Sequence, residues 1–206
     1  MNKFNESVEI AKTRFPKLKI KYKDKSLFMK ALSTLLFFNN DFKEKFVTTI
    51  GNTIYYPSEE FVSKSETSSI ILLCHELMHI RQSEITDLYT LEYLSPQIFS
   101  VFSLLAFFNL WFLVFLVFLL PIPSITRAYL EFEAYSVTLY CKHKLGFNLN
   151  LDGIIKNFTG PSYYFMFPFE KINSWFKPVI SLIEKNEFTC FGLKEVIDNI
   201  LDNMEK

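Results

Sequence analysis

The chain has 206 residues and carries 22 basic and 22 acidic side chains, so its length fits one domain and its charge balance gives no field that attracts nucleic acid. The three separated cysteines, Cys74, Cys141 and Cys190, argue against a disulfide framework. The polar first residues lack the apolar core of a secretory signal peptide, so none is expected. Aromatic residues are abundant, with 24 phenylalanines and ten tyrosines, and they concentrate in Ile98–Leu120 and Tyr163–Phe169.

Periodicity predicts an α+β fold that is mostly helical with a small antiparallel sheet. Alternation over Leu18–Tyr22 predicts an edge-like strand, and two β-branched and aromatic runs around Gly51-Asn52 predict a hairpin whose second strand is Thr53–Tyr56. The predicted helices cover approximately residues 6–14, 26–38, 63–83, 124–146, 170–185 and 193–204. A single domain over residues 1–206 is expected, with residues 96–123 as an apolar insertion.

The stretch CHELMHIRQ, residues 74–82, carries the strongest chemical signal. On a helix, whose start is predicted here by a capping box of Ser63 and Glu66, His75 and His79 lie one turn apart on the same face and can bind one zinc ion. Glu76 can take a proton from zinc-bound water, which makes it the candidate general base. Chance could also produce this HExxH pattern, but it uses two of the three histidines in the chain, which favours zinc.

A catalytic zinc needs a third protein ligand and an open fourth position. The remaining histidine, His143, lies at a predicted helix end, where contact with solvent or the helix dipole is the ordinary role. Glu131 and Glu133, in RAYLEFEAY, are the better candidates. Which of the two faces the histidines cannot be read from their spacing.

These motifs resemble those of the gluzincin zinc peptidases, in which a glutamate on a later helix completes an HExxH site. The resemblance extends more loosely to their integral-membrane branch, the CAAX-prenyl-protease and heat-shock-protease type. The second motif of that branch is glutamate, aromatic, any residue, alanine and aspartate, and EFEAY matches four of the five positions. The resemblance implies that Glu131 is the third ligand, with Glu133 as the alternative. Tyr135 stands where that family has the aspartate that orients a ligating histidine. Tyr135 and Gln82 are therefore the candidates for hydrogen bonding to the metal ligands and orienting them.

The apolar run Ile98–Leu120 is long enough to cross a bilayer, because about 23 helical residues reach ~34 Å. A single crossing would separate His79 from every candidate third ligand, so a simple span is incompatible with one zinc site. The alternatives are a re-entrant helical hairpin that turns near Asn109, a segment lying on the membrane, or a helix pair buried in protein or in an oligomer. Membrane association through residues 98–120 is favoured, with the zinc site on the cytoplasmic side.

Together these features predict a zincin-like zinc metalloendopeptidase that hydrolyses peptide bonds in a peptide or protein substrate. The strand Thr53–Tyr56 is the expected edge along which an extended substrate would add. The alternative from a different class is a non-catalytic zincin-like structural or assembly protein that uses its aromatic apolar segment to bind a membrane or a partner. A third reading is a structural protein with an accidental motif, which would bind no metal.

Overall fold

A computed structural model describes residues 2–35, 44, 46–120, 122–160 and 169–205 of the chain. The described part is mostly helical and contains one small sheet. Its strands are β1 (Lys19–Tyr22), β2 (Thr48–Ile50) and β3 (Thr53–Tyr56). Its α-helices are α1 (Lys3–Arg14), α2 (Leu27–Leu35), α3 (Glu59–Lys64), α4 (Glu66–Ile85), α5 (Tyr89–Leu94), α6 (Ile125–Lys144), α7 (Leu151–Thr159), α8 (Phe169–Glu184) and α9 (Lys194–Glu205). Short 3-10 turns lie at Lys23–Lys25 and Cys190–Gly192.

The sheet is mixed, so the prediction of a purely antiparallel sheet is wrong. Its order is β1-β3-β2, with β1 parallel to β3 and β2 antiparallel to it. The β2–β3 hairpin is confirmed, and Gly51 takes a positive φ of 55° in its turn. The strand β3 lies in the centre, where both neighbours already use its backbone groups. The expectation that Thr53–Tyr56 is a free edge is therefore wrong, and β2 is the outer strand on the side of α4.

The helix α4 runs through the middle of the protein. Its residues are buried on all sides over most of the span from Ser69 to Gln82, which is the pattern of a helix enclosed by other elements. Helix α6 packs along it, and α1 and β2 also contact it. One connected cluster of buried apolar side chains extends from Phe4 in α1 to Leu201 in α9. The HExxH residues consequently lie inside the fold, opposite α6.

The N-termini of α6 and α4 are held by different side-chain contacts. Ser124 caps α6, with its Oγ accepting the backbone N–H of Arg127 at 3.2 Å. The predicted capping box of Ser63 and Glu66 is wrong, because residues 59–64 form a separate helix and the Glu66 carboxylate accepts the N–H of Phe4 at 2.8 Å. Glu66 therefore ties α4 to the start of α1.

The apolar run forms a helical hairpin, built from 3-10 and not α-helix. Its arms are Gln97–Phe107 and Leu110–Leu119, and they pack antiparallel through ring pairs such as Phe99 with Phe118 and Phe102 with Phe115. The turn lies at Phe108-Asn109, in agreement with the turn expected near Asn109. Among the described residues, no helix combines the length and the hydropathy that a membrane crossing requires.

Two further helices, α5 and α7, lie in segments for which no helix is predicted from the sequence. The aromatic residues 163–168 and the predicted continuation of α2 to residue 38 lie outside the described residues. Helix α5 is the element that matters for the site, because it lies between the motif helix α4 and the apolar hairpin and contacts both, as well as α6.

Candidate metal centre

The two long helices bring three side chains together around one point. His75 and His79, one turn apart on α4, face Glu131 on α6, and each of the three is at most 5% exposed. The Nε2 atom of His75 lies 3.6 Å from Oε2 of Glu131, and Nε2 of His79 lies 3.6 Å from Oε1. All three ligand atoms lie within 4.8 Å of one another. Two ligands bound at ~2.1 Å to a tetrahedral ion are separated by about 3.4 Å, so this spacing suits zinc.

The Glu131 carboxylate has an oxygen with no protein partner. Its Oε2 atom is buried and accepts no hydrogen bond, and the 3.6 Å separation from His75 is too long for one. A buried carboxylate oxygen without a donor is costly unless a cation or a proton lies beside it. This unpartnered oxygen, together with two histidine nitrogens that each face one oxygen of the Glu131 carboxylate, therefore fits a metal ion.

Hydrogen bonds behind the histidines set which nitrogen faces the centre. Nδ1 of His79 lies 2.8 Å from Oε1 of Gln82, whose amide nitrogen donates to Leu130 O and to Glu133 Oε2, both at 2.9 Å. An amide that donates through its nitrogen must accept through its oxygen, so His79 carries its proton on Nδ1. Its Nε2 lone pair is then directed at the centre, as metal ligation requires.

His75 is oriented in the same way by a residue that sequence reasoning missed. Its Nδ1 lies 3.1 Å from Oγ1 of Thr138, and that hydroxyl gives its only proton to Ala134 O at 3.3 Å. Thr138 must therefore accept from Nδ1–H of His75, which leaves Nε2 as the ring nitrogen that faces Glu131 and can bind a metal. Thr138 follows Glu131 by seven residues on α6, so the i, i+7 spacing was the signal that could have found it.

The structure separates the two candidate glutamates. Glu131 forms the group with the two histidines, whereas the Glu133 carboxylate accepts from the Gln82 amide. Tyr135, at the family's aspartate position, packs its ring edge-on against His75 with centroids 4.8 Å apart, and its hydroxyl accepts from Asn157 at 2.9 Å. Gln82 and Tyr135 thus both contact a histidine, Gln82 through a hydrogen bond to the His79 ring and Tyr135 through an edge-on ring contact with His75.

Glu76, the candidate base, lies beside this centre and is held by the sheet. Its Oε2 atom accepts from the Thr49 hydroxyl on β2 at 2.7 Å, and Glu76 is 5% exposed. Lys23 is also buried near it and donates to Phe46 O at 2.8 Å. Burial lowers the pKa of Lys23 to about 8, while the charge of Glu76 acts in the opposite direction. Neither Thr49 nor Lys23 was expected, because the link from strand to helix depends on the tertiary fold.

Helix α5 adds two tyrosines to the other side of the centre. The Tyr93 hydroxyl donates to Oε1 of Glu131 at 2.6 Å, and its ring lies against His79 with centroids 5.8 Å apart. The Tyr89 ring is 6.4 Å from that of His79 and also lines a cavity of about 500 Å³ between α5, the end of α4 and the β2–β3 turn. Burial and the charge of Glu131 raise the pKa of Tyr93 well above its ordinary value, so Tyr93 stays a hydrogen-bond donor.

The electrostatics of the centre favour a bound cation. Burial would lower the pKa of His75, but the carboxylates of Glu131 and Glu76 outweigh burial and raise it. Burial would raise the pKa of Glu131, yet the two histidines lower it to about 2. Glu131 is therefore an anion at neutral pH, and its buried negative charge is what a bound cation would neutralise.

Comparisons with known proteins do not assign a function to this centre. No protein-family model, curated protein or solved structure matches the chain. The resemblance to the gluzincins therefore rests on the two sequence motifs. Among the described residues, His75, His79 and Glu131 form the one group of histidine, cysteine and acidic side chains with metal-ligand spacing.

Proposed function

We propose that the protein is a zinc-dependent metallopeptidase whose zinc ligands are His75, His79 and Glu131. The observation that carries the proposal is the convergence of the Nε2 atoms of His75 and His79 on the Glu131 carboxylate, one of whose buried oxygens has no hydrogen-bond partner. Two imidazoles and one carboxylate are an established ligand set for catalytic zinc, and they leave a fourth position for water or substrate. A structural zinc site would instead have four protein ligands, which favours the enzyme over the non-catalytic alternative.

When bound, zinc would lower the pKa of a water molecule to near neutrality and polarise the carbonyl of the scissile bond. Glu76 would accept the proton of the attacking water and later deliver it to the leaving amine nitrogen. The Thr49 hydroxyl holds the Glu76 carboxylate by one oxygen, which leaves the other oxygen for this proton. Gln82 and Thr138 keep both histidines in the tautomer that presents Nε2.

The outer strand β2 is the best place for an extended peptide. It is the strand of the described sheet that neighbours α4, and through Thr49 it touches the candidate base. A substrate that adds to β2 would form backbone hydrogen bonds and run past the centre with little demand on its side chains. This proposal replaces the expectation that β3 receives the substrate.

The test is hydrolysis of an unstructured fluorogenic peptide by zinc-loaded protein and by Glu76→Gln. The substitution removes the base but none of the three ligands, so the rate should fall at least about 100-fold while zinc content is unchanged. Glu60→Gln, at an exposed position on α3, is the matched control and should hydrolyse at the wild-type rate. Equal rates for wild type and Glu76→Gln would refute the mechanism, and so would the absence of hydrolysis in wild type that binds zinc.

A further inference from the structure

The apolar hairpin, Gln97–Leu119, is the largest feature that the proposed peptidase does not use. Neither arm has a buried residue, and its tip is the most open part, with Phe107 90%, Phe108 79% and Trp111 84% exposed. The nearest charged residues along the chain are Glu92 and Arg127, on either side of it. An apolar surface of this extent marks a site of contact with a protein or a membrane.

The hairpin is apolar on every side. One row of phenylalanines joins the arms, including Phe99 with Phe118 at 5.4 Å and Phe102 with Phe115 at 5.3 Å. The remaining leucine, valine and phenylalanine side chains point outward in all other directions, and exposed ones occur along both arms. A protein partner would cover one face and meet a polar rim. An all-round apolar surface without a rim matches lipid, which surrounds an inserted element.

The backbone of the hairpin meets the requirement that hydrocarbon imposes. The 3-10 arms form hydrogen bonds within themselves, and the turn is closed by bonds from Phe108 N to Leu105 O at 2.9 Å and from Phe112 N to Asn109 O at 3.0 Å. The Asn109 side chain accepts from Trp111 N at 3.0 Å, so the polar side chain at the turn is partly satisfied within the hairpin. Internal pairing of this kind is what allows backbone to enter a bilayer.

The base of the hairpin is closed and fixed to the fold. Gln97 donates to Ile122 O at 3.2 Å, so both arms begin and end at the same level. The Arg127 guanidinium donates to Gln97 Oε1 and to Tyr93 O, both at 2.8 Å, and Arg127 is 6% exposed. An arm of 10 to 11 residues reaches about 20 Å at the 3-10 rise of ~2.0 Å per residue. That length enters a hydrocarbon core of ~30 Å beyond its middle when the hairpin stands upright.

We propose that this hairpin inserts into a lipid bilayer from one side, with its tip in the hydrocarbon and its Gln97–Arg127 base at the membrane surface. Insertion depends on apolar side chains alone, so neutral phospholipid is sufficient. Glu131 follows Arg127 by one helical turn, about 6 Å along α6, and the metal centre therefore lies close to the membrane surface. The proposal is independent of zinc and of peptide hydrolysis.

The protein contains its own probe, because its two tryptophans are Trp111 at the tip and Trp175 in α8. We would mix Trp175→Phe with phosphatidylcholine vesicles whose acyl chains carry bromine at mid-depth, and record tryptophan emission. Trp111 should shift to shorter wavelength and lose most of its intensity, and the protein should float with the vesicles at low and at high salt. In the reciprocal variant, Trp111→Phe, the remaining emission of Trp175 should be unchanged by the bromines.

A pair of matched double variants separates insertion from general adhesion. Phe107→Asp with Phe108→Asp places two charges at the tip, and should reduce vesicle partition at least about tenfold. Leu27→Asp with Phe28→Asp places the same charges on α2, where the side chains are 84% and 57% exposed, and should leave partition unchanged. Flotation without quenching of Trp111 would overturn the proposal. So would the absence of flotation, or a blue-shifted Trp111 in lipid-free oligomers, which would identify a second copy as the occupant.

Discussion

Gln82 is the residue whose replacement tests the orientation of the metal ligands most specifically. Gln82→Met keeps the side-chain volume but removes the acceptor for Nδ1 of His79 and the donors to Leu130 O and Glu133. Loss of such a partner behind a ligating histidine typically weakens metal binding 10- to 100-fold, or about 1.4–2.7 kcal/mol. The Glu133 carboxylate and the Leu130 carbonyl also lose a donor in a part-buried position, so the free energy of unfolding should fall by about 1–3 kcal/mol.

Zinc affinity would be measured by competition with a chromogenic chelator, and stability by urea unfolding of the metal-free protein. Ser83→Ala, the next residue on α4, is the control, because its hydroxyl donates only to Ile80 O in its own helix. Both quantities should stay near wild type in that variant. A Gln82→Met protein that is destabilised as expected but binds zinc with wild-type affinity would show that Gln82 does not orient a ligand, and would refute the tautomer argument for His79.

Four further outcomes follow from the geometry. Thr138→Val should weaken zinc binding about tenfold in the same competition assay, whereas Thr138→Ser should retain wild-type affinity. Tyr93→Phe removes the bond to Glu131 and should lower the free energy of unfolding of the metal-free protein by about 1–3 kcal/mol in urea. The pKa of Glu131 is lowered from 4.5 to about 2 on folding, so its contribution to stability is present above pH 4.5 and lost as pH falls toward 2. That loss is about 3 kcal/mol in acid titrations of metal-free wild type and should be absent from Glu131→Gln. If the peptidase proposal holds, Phe107→Asp with Phe108→Asp should hydrolyse a soluble peptide normally and a vesicle-tethered peptide slowly.

Local patterns were sufficient for the parts of the site that lie on one helix. The i, i+4 spacing of His75 and His79 predicted their common face, and the helix predicted over residues 124–146 corresponds to α6. The choice of Glu131 over Glu133 came from the EFEAY resemblance, and the structure places Glu131 beside the histidines. Contacts between distant segments could not be read in this way. Thr49, Thr138 and Tyr93 reach the centre only after β2, α6 and α5 pack around α4.

The strand arrangement of the sheet and the helix type of the apolar run could not be predicted from the sequence for a related reason. Strand order depends on contacts between segments that are distant in sequence. The alternation in Lys19–Tyr22 predicts a strand but does not show that β1 pairs in parallel with β3. Residues 84–97 contain Glu84, Asp87 and Glu92 among apolar residues, which obscured the short helix α5. The hairpin was one of the alternatives, because all ligands had to meet on one side, but its 3-10 geometry has no signal in an unbroken apolar run.

The central claim is that His75, His79 and Glu131 hold zinc, and metal content tests it most directly. Elemental analysis of protein purified without chelator should find about one zinc ion per chain in wild type. His79→Ala and Glu131→Gln should lose it under the same conditions, whereas Glu133→Gln should retain it. Wild type without zinc that also fails to take it up from solution would contradict the claim. Zinc that persists in Glu131→Gln but disappears in Glu133→Gln would show that Glu133, and not Glu131, is the third ligand.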